Sequence, residues 1–260
     1  MGRRALLLLT TIGVGVLLSS GVALAANLIS CTGGLCEGTT GDDEMIGTSA
    51  TDHMYAYQGN DTLRGGRSFD DLRGGQGNDD LNGGRGNDQY NIYDNNWGAD
   101  TISADRSGVK DWLIFQTSGA LMIDLKPSST SDEVTSGTNT INIAPEVVIE
   151  WVQAGSESDT IKGNSADNYL SGAGKDDTLI GRKGDDDLLG DIVVFGNNGK
   201  DTLIGGPGND DLDGGPGNDT FFAQDGEADE ITCGPGTDVV VDADPSLDSR
   251  SLDCIDFVHP

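Results

Sequence analysis

Aspartate returns at every ninth residue from 43 to 88. Asp43, Asp52, Asp61, Asp70, Asp79 and Asp88 hold the sixth positions of six nonads that run without a gap from 38 to 91. Two places after each comes a large apolar side chain: Met45, Met54, Leu63, Leu72, Leu81 and Tyr90. Glycines crowd the positions ahead, as in GGQGNDDLN (74–82) and GGRGNDQYN (83–91). Carboxylates repeated at this interval beside exposed turn carbonyls are suited to a hard cation. Calcium takes about six to eight oxygens in tolerant geometry, whereas magnesium demands a stricter octahedron and sheds water reluctantly. Zinc and copper would want imidazole or thiolate. The chain offers only His53 and His259, and its four cysteines are expected to be engaged otherwise.

A short element must hold each carboxylate. Residues seven to nine of a nonad allow a strand of about three residues, with the eighth side chain pointing inward. Glycines at the first, second and fourth positions permit a turn whose dihedrals would penalise a side chain. The next nonad then forms a strand on the opposite face, and two nonads close one coil. Asp61 and Asp79, eighteen residues apart, would stack at about the 4.7–4.9 Å strand spacing. Carboxylates that close repel one another, so a cation belongs between them.

A second, less regular array follows. GRKGDDDLL (181–189), GGPGNDDLD (205–213) and GGPGNDTFF (214–222) are full copies, while GNNGKDTLI (196–204) and CGPGTDVVV (233–241) are close ones. AGSESDTIK (154–162), GNSADNYLS (163–171, with Asn168 in place of aspartate) and GAGKDDTLI (172–180) are degraded. GDIVVF (190–195) is inserted between two copies, and one extra residue shifts the register near DGEADEIT (225–232).

The pattern GGxGxDxUx resembles the RTX (haemolysin-type calcium-binding) repeats over most of 38–102 and 154–241. That resemblance implies an all-β fold, a parallel β-roll or β-helix solenoid, with Ca2+ between successive turns. Carried over by position, the implied ligands are Asp43, Asp52, Asp61, Asp70, Asp79, Asp88, Asp159, Asp177, Asp186, Asp201, Asp210, Asp219 and Asp238. The implied turn carbonyls are those of Gly59, Gly75, Gly77, Gly84, Gly86, Gly184, Gly199, Gly206, Gly208, Gly215 and Gly217. A disordered, glycine-rich acidic linker is the plainer alternative, but linkers do not keep an apolar residue at every eighth position. Without calcium, disorder is the expected state.

Composition points the same way. Fifteen basic residues face 44 acidic ones, a formal charge of −29, and 40 glycines raise the entropy cost of folding. Only 35% of residues are hydrophobic and 5% aromatic, thin for a conventional core. So negative a field excludes nucleic acid and acidic membrane surfaces as partners unless cations bridge them.

Residues 1–25, MGRRALLLLTTIGVGVLLSSGVALA, read as a secretory signal peptide: Arg3 and Arg4, an apolar run and an Ala23-Leu24-Ala25 cleavage site. From Ala26 onward the charge becomes −31. The apolar run is short for a transmembrane anchor, and no second stretch is long enough, so a secreted, extracellular location is expected. Such a leader resembles those of calcium-binding repeat proteins from actinobacteria more than the export signal of Gram-negative RTX toxins. Four cysteines in an exported chain suggest disulfides. Of three possible pairings, Cys31–Cys36 and Cys233–Cys254 would staple the two ends of the solenoid.

The chain is thus expected to divide into the leader (1–25), an N-terminal cap (26–37), a first array (38–102), non-repeat coils (103–153), a second array (154–241) and a C-terminal cap (242–260). In the middle stretch WLIF (112–115), LMIDL (121–125), TINIA (140–144) and VVIEWV (147–152) are strand-like. They are expected to form further coils with long loops and no metal, with Trp112 and Trp151 in the core. No HExxH, GxSxG or nucleophile–base set is visible, so no catalytic residue is assigned. Acidic pairs leave a carboxylate-only β-helix carbohydrate enzyme as one alternative. A calcium-dependent adhesin or carbohydrate-binding protein with a cell-surface or polysaccharide partner is the other.

Overall fold

The computed structural model describes residues 26–93, 95–103, 110–125, 132–145, 147–191, 198–244, 246–252 and 254–256. The leader (1–25), His259 and residues 192–195 of the GDIVVF insertion lie outside the described residues. The described strands build two long sheets, one of 14 strands and one of 11, and successive nonads alternate between them. Asp43–Ile46, Thr62–Arg67, Asp80–Arg85 and Ala99–Ile102 lie side by side in the larger sheet, while Asp52–Tyr55, Asp71–Arg73 and Gln89–Ile92 do so in the smaller. Neighbours are parallel and in register: Met45, Leu63 and Leu81 align in one sheet, and Met54, Leu72, Tyr90 and Leu113 in the other. This is an all-β parallel roll.

The period-two alternation of a strand explains the nonad. Position eight enters the core between the sheets, where Leu63, Leu72, Leu81, Leu179 and Leu203 are fully buried. Position six also turns inward, so each aspartate lies under the turn that precedes it; Asp61 is 1% exposed and Asp70 fully buried. Positions seven and nine face out.

Glycine is required where turns stack. Gly77 has φ 139°, and a Cβ on it would lie 1.6 Å from the Gly59 carbonyl oxygen of the turn below. Gly74 makes room for the aspartate itself, since a Cβ there would meet Asp79 Oδ2 at 2.2 Å. A few units depart from this. Tyr57 (φ 76°), at the second position, and Ser68 (φ 80°), at the fourth, hold left-handed conformations that cost a side chain about 1–2 kcal/mol.

The middle stretch continues both sheets but breaks the parallel rule. Between Ala99–Ile102 and Thr160–Lys162 the larger sheet takes in Asn139–Ile143, Asp132–Ser136 and Met122–Asp124, and the central one of these is antiparallel to both neighbours. The smaller sheet takes in Trp112–Phe115 and Trp151–Gln153. Trp112 and Trp151 are not core residues, contrary to the sequence expectation. Asp111 and Leu113 point inward, so alternation sends Trp112 out, and Val152 likewise fills the core beside an outward Trp151. On that outer face the Trp112 and Trp151 rings lie 4.8 Å apart, and those of Trp151 and Tyr169 4.3 Å apart. The buried tryptophan is Trp97, at 1% exposure and packed on Phe115.

Both expected disulfides are present. Cys31 follows Asn27–Ser30 of the larger sheet, and Cys36 lies in Gly34–Glu37 of the smaller; these strands add a terminal coil. Cys233 follows Glu230–Thr232 of the smaller sheet, and Cys254 precedes Ile255–Asp256 of the larger. Each end therefore carries a covalent tie between the two sheets.

Candidate metal centre

The sixth-position aspartates form two columns, one beside each sheet. In each, a backbone amide donates to a carboxylate oxygen one coil on, at 2.7–3.2 Å throughout. One column runs Asp43, Asp61, Asp79, Asp100, and resumes from the Leu121 amide through Asp159, Asp177, Asp201, Asp219 and Asp238. The other runs Asp52, Asp70, Asp88, Asp111 and Glu150, and then Asn168, Asp186, Asp210, Asp229 and Asp248. All thirteen aspartates singled out in the sequence lie in these columns.

Beyond the first rungs, Asp43 and Asp52, one oxygen of each of these carboxylates is thus engaged, and the state of the other divides the columns. Asp52 keeps its Oδ1 buried without a partner. In Asp61, Asp70, Asp79, Asp177, Asp186, Asp201, Asp210 and Asp219 the Oδ2 atom is buried and accepts no hydrogen bond from the described residues. Leaving a buried carboxylate oxygen without a donor costs about 1–3 kcal/mol or more. The first two rungs are different. Asp43 Oδ2 accepts from the Thr39 amide at 2.6 Å and hydroxyl at 3.1 Å, and Asp52 Oδ2 from the Thr48 amide at 2.7 Å and hydroxyl at 3.0 Å. Asp159 Oδ2 accepts from the Gly155 amide.

Burial also sets the electrostatics. Desolvation lifts Asp61, Asp70, Asp186, Asp201, Asp210 and Asp219 to about 7, and Asp177 to about 9, against the opposing pull of the amide each accepts. Neighbouring carboxylates push the same way in several, as Asp79 and Asp43 do at Asp61. A cation between rungs would reverse both effects.

Turn carbonyls stack along the same edges. The carbonyl oxygens of Gly59, Gly77, Gly184, Gly199, Gly215 and Gly217 face the glycine one coil on. Gly75, Gly84, Gly86 and Gly206 receive the carbonyls of Tyr57, Gly66, Ser68 and Arg182 in the same way. Buried carboxylate oxygens without donors, repeated through both arrays beside turn carbonyls, make a donor set that fits a hard divalent cation.

Sequence reasoning missed Asp100, Asp111, Asp229 and Glu150. The first three keep the triplet of aspartate, any residue, then a buried apolar side chain: Asp100-Thr101-Ile102, Asp111-Trp112-Leu113 and Asp229-Glu230-Ile231. That triplet could have found them where the glycines had gone. Glu150 takes the aspartate's place by accepting the Asp111 amide at 2.9 Å.

The sequence was compared with known proteins. The family model of the RTX calcium-binding nonapeptide repeat matches residues 37–72, 55–90, 149–174, 163–192 and 193–227, together just over half of the chain. No curated protein matches it. With the nonads, the two-sheet roll and the matched residues in agreement, the chain belongs to the RTX calcium-binding nonapeptide repeat family.

Proposed function

We propose that this is a secreted, non-catalytic calcium-binding protein whose arrays fold as they load. The series of buried Oδ2 atoms without donors, in most rungs of both arrays, carries this reading. Asp61, Asp70, Asp79, Asp177, Asp186, Asp201, Asp210 and Asp219 would hold ions with the turn carbonyls, and Asp88 and Asp238 continue the same columns. Calcium would supply charge neutralisation between rungs. The chain's own part is to orient one carboxylate oxygen through the amide of the preceding rung and to leave the other for the ion. Because the stacked site does not exist in the unfolded chain, binding free energy becomes folding free energy. Secretion rests on the leader and on two disulfides, which persist in oxidising compartments.

Circular dichroism tests it. EDTA should give a coil-like spectrum and an expanded radius, reversed sigmoidally by about millimolar calcium, as in extracellular modules, but not by equal magnesium. A full β spectrum in EDTA would overturn the reading.

A second reading, a glycan-binding surface, has one observation behind it. On the outer face of the smaller sheet Tyr55, Tyr57, Arg73, Asn91 and Tyr93 line a hollow of about 210 Å³. Arg73 lies 4.1 Å from the Tyr55 ring centroid and 4.4 Å from that of Tyr93. Binding to neutral glycans in calcium, lost in Tyr57→Ala, would favour it, and a blank array would remove it.

A further inference from the structure

The second residue of each nonad lies four places before the aspartate, and its identity changes along the roll. In intact units it is glycine, as at Gly75, Gly84 and Gly206. In the first two it is Thr39 or Thr48: Thr39 answers both oxygens of Asp43, while Thr48 answers Oδ2 of Asp52 and leaves its Oδ1 buried without a partner. In the irregular ten-residue unit 223–232 the equivalent residue is Asp225, an acceptor in place of a donor.

Asp225 does not stand apart from the column. Carboxylate oxygens of Asp210, Asp225 and Asp229 all lie within 4.8 Å of one another. Asp210 and Asp229 are 2% and 3% exposed, and the Oδ2 atom of each is buried without a hydrogen bond. The loop holds Asp225 in place: its Oδ2 accepts from the Gly208 amide at 3.1 Å and its Oδ1 from the Glu227 amide at 2.8 Å. Three anions are fixed around one point, and two of them present buried, unanswered oxygens. The geometry points to a three-carboxylate calcium site at Asp210, Asp225 and Asp229 that is tighter than the two-carboxylate sites elsewhere, so that it fills first. It rests on the reading of the columns as calcium sites, and adds that the second position tunes them: glycine leaves a rung ordinary, and aspartate strengthens it.

Calcium affinity follows ligand charge count and site rigidity. Removing one fixed carboxylate should therefore weaken the site by about tenfold. The test is calcium titration of the full secreted chain against a chromophoric chelator, which resolves the tightest class of sites. Asp225→Asn should raise the dissociation constant of that class about tenfold, with the remaining sites and the β spectrum at saturating calcium unchanged. Glu227→Gln, which removes the same charge from an exposed position two residues away, should leave it alone. Equal effects of the two variants, or no effect of Asp225→Asn on the tightest class, would overturn the proposal while leaving calcium binding intact. A chain that binds no calcium in any form would overturn the broader reading instead.

Discussion

The nonad arrays and the middle stretch use the same two sheets but close their coils differently. Over the six unbroken nonads 18 residues separate one rung from the next in a column, and each nonad brings a turn and a buried aspartate. Across the middle the interval grows to 39 residues between Asp111 and Glu150. A hairpin of antiparallel strands replaces the glycine turns there, and on the outer face Trp112 and Trp151 pack as tilted rings that continue onto Tyr169 of the second array. Aromatic pairs contribute about 0.5–1.5 kcal/mol each beyond their burial. The arrays keep anionic turns that want an ion; the middle replaces them with ordinary hydrogen bonds and ring packing. One solenoid thus holds aspartate-lined coils and hairpin-closed coils in series.

Removing calcium should separate the regions most strongly. Hydrogen exchange in EDTA should show amides of Thr62–Arg67 and Asp71–Arg73 losing protection, while those of Trp112–Phe115 and Asn139–Ile143 keep more of theirs. Uniform loss would erase the comparison. A next, smaller effect comes from Gly77→Ala, which sets a methyl against the Gly59 carbonyl at a left-handed φ. It should destabilise the loaded chain by about 2–3 kcal/mol in denaturant melts. Trp151→Ala should also lower stability, by about 1–3 kcal/mol for its two ring contacts, yet leave calcium affinity unchanged. An affinity change there would show that the regions are not separate.

Within the first array, Asp79→Asn should weaken calcium binding by about tenfold. Asp43→Asn should change it little, because Thr39 already satisfies Asp43. The reverse order in isothermal titration would break the distinction between open and self-satisfied rungs. The mildest effect is that of acid on the metal-free chain. Burial raises the folded-state values of Asp61 and Asp70 to about 7 and of Asp177 to about 9, above the roughly 3.9 of an unfolded aspartate. The protonated form thus favours the fold: the stabilisation is complete below the unfolded value and is lost as pH rises through about 7 to 9. In EDTA, β signal should grow on acidification, and calcium affinity should fall over the same range because calcium needs ionised carboxylates. A metal-free chain that loses β signal in mild acid would contradict this.

The arrays were legible because each nonad states its own geometry. Glycine marks the turn, aspartate and the residue two on mark the inward face, and the period sets which carboxylates stack. Trp112 and Trp151 were misplaced because WLIF and VVIEWV are apolar on both faces, so alternation alone gives no phase. The phase is set by Asp111 and Glu150, whose role emerges only when the Asp111 amide meets the Glu150 carboxylate 39 residues away. The hairpin turns on Gly137 (φ 61°), within a polar run where nothing local announces antiparallel pairing. Asp225 was hidden by the extra residue that moves its unit out of register, and its neighbours are recognisable only once the coils are stacked.

The terminal disulfides have a mechanical consequence. A linear stack in which each rung touches only its neighbours ordinarily unravels from its two ends, like a zipper. Here the outermost coils are closed covalently between the sheets, by Cys31–Cys36 at one end and Cys233–Cys254 at the other. Under tension or heat, fraying that starts in the outer strands Asn27–Ser30 and Ile255–Asp256 meets a covalent bridge before it reaches the arrays. Reduction removes both bridges and lets it run inward.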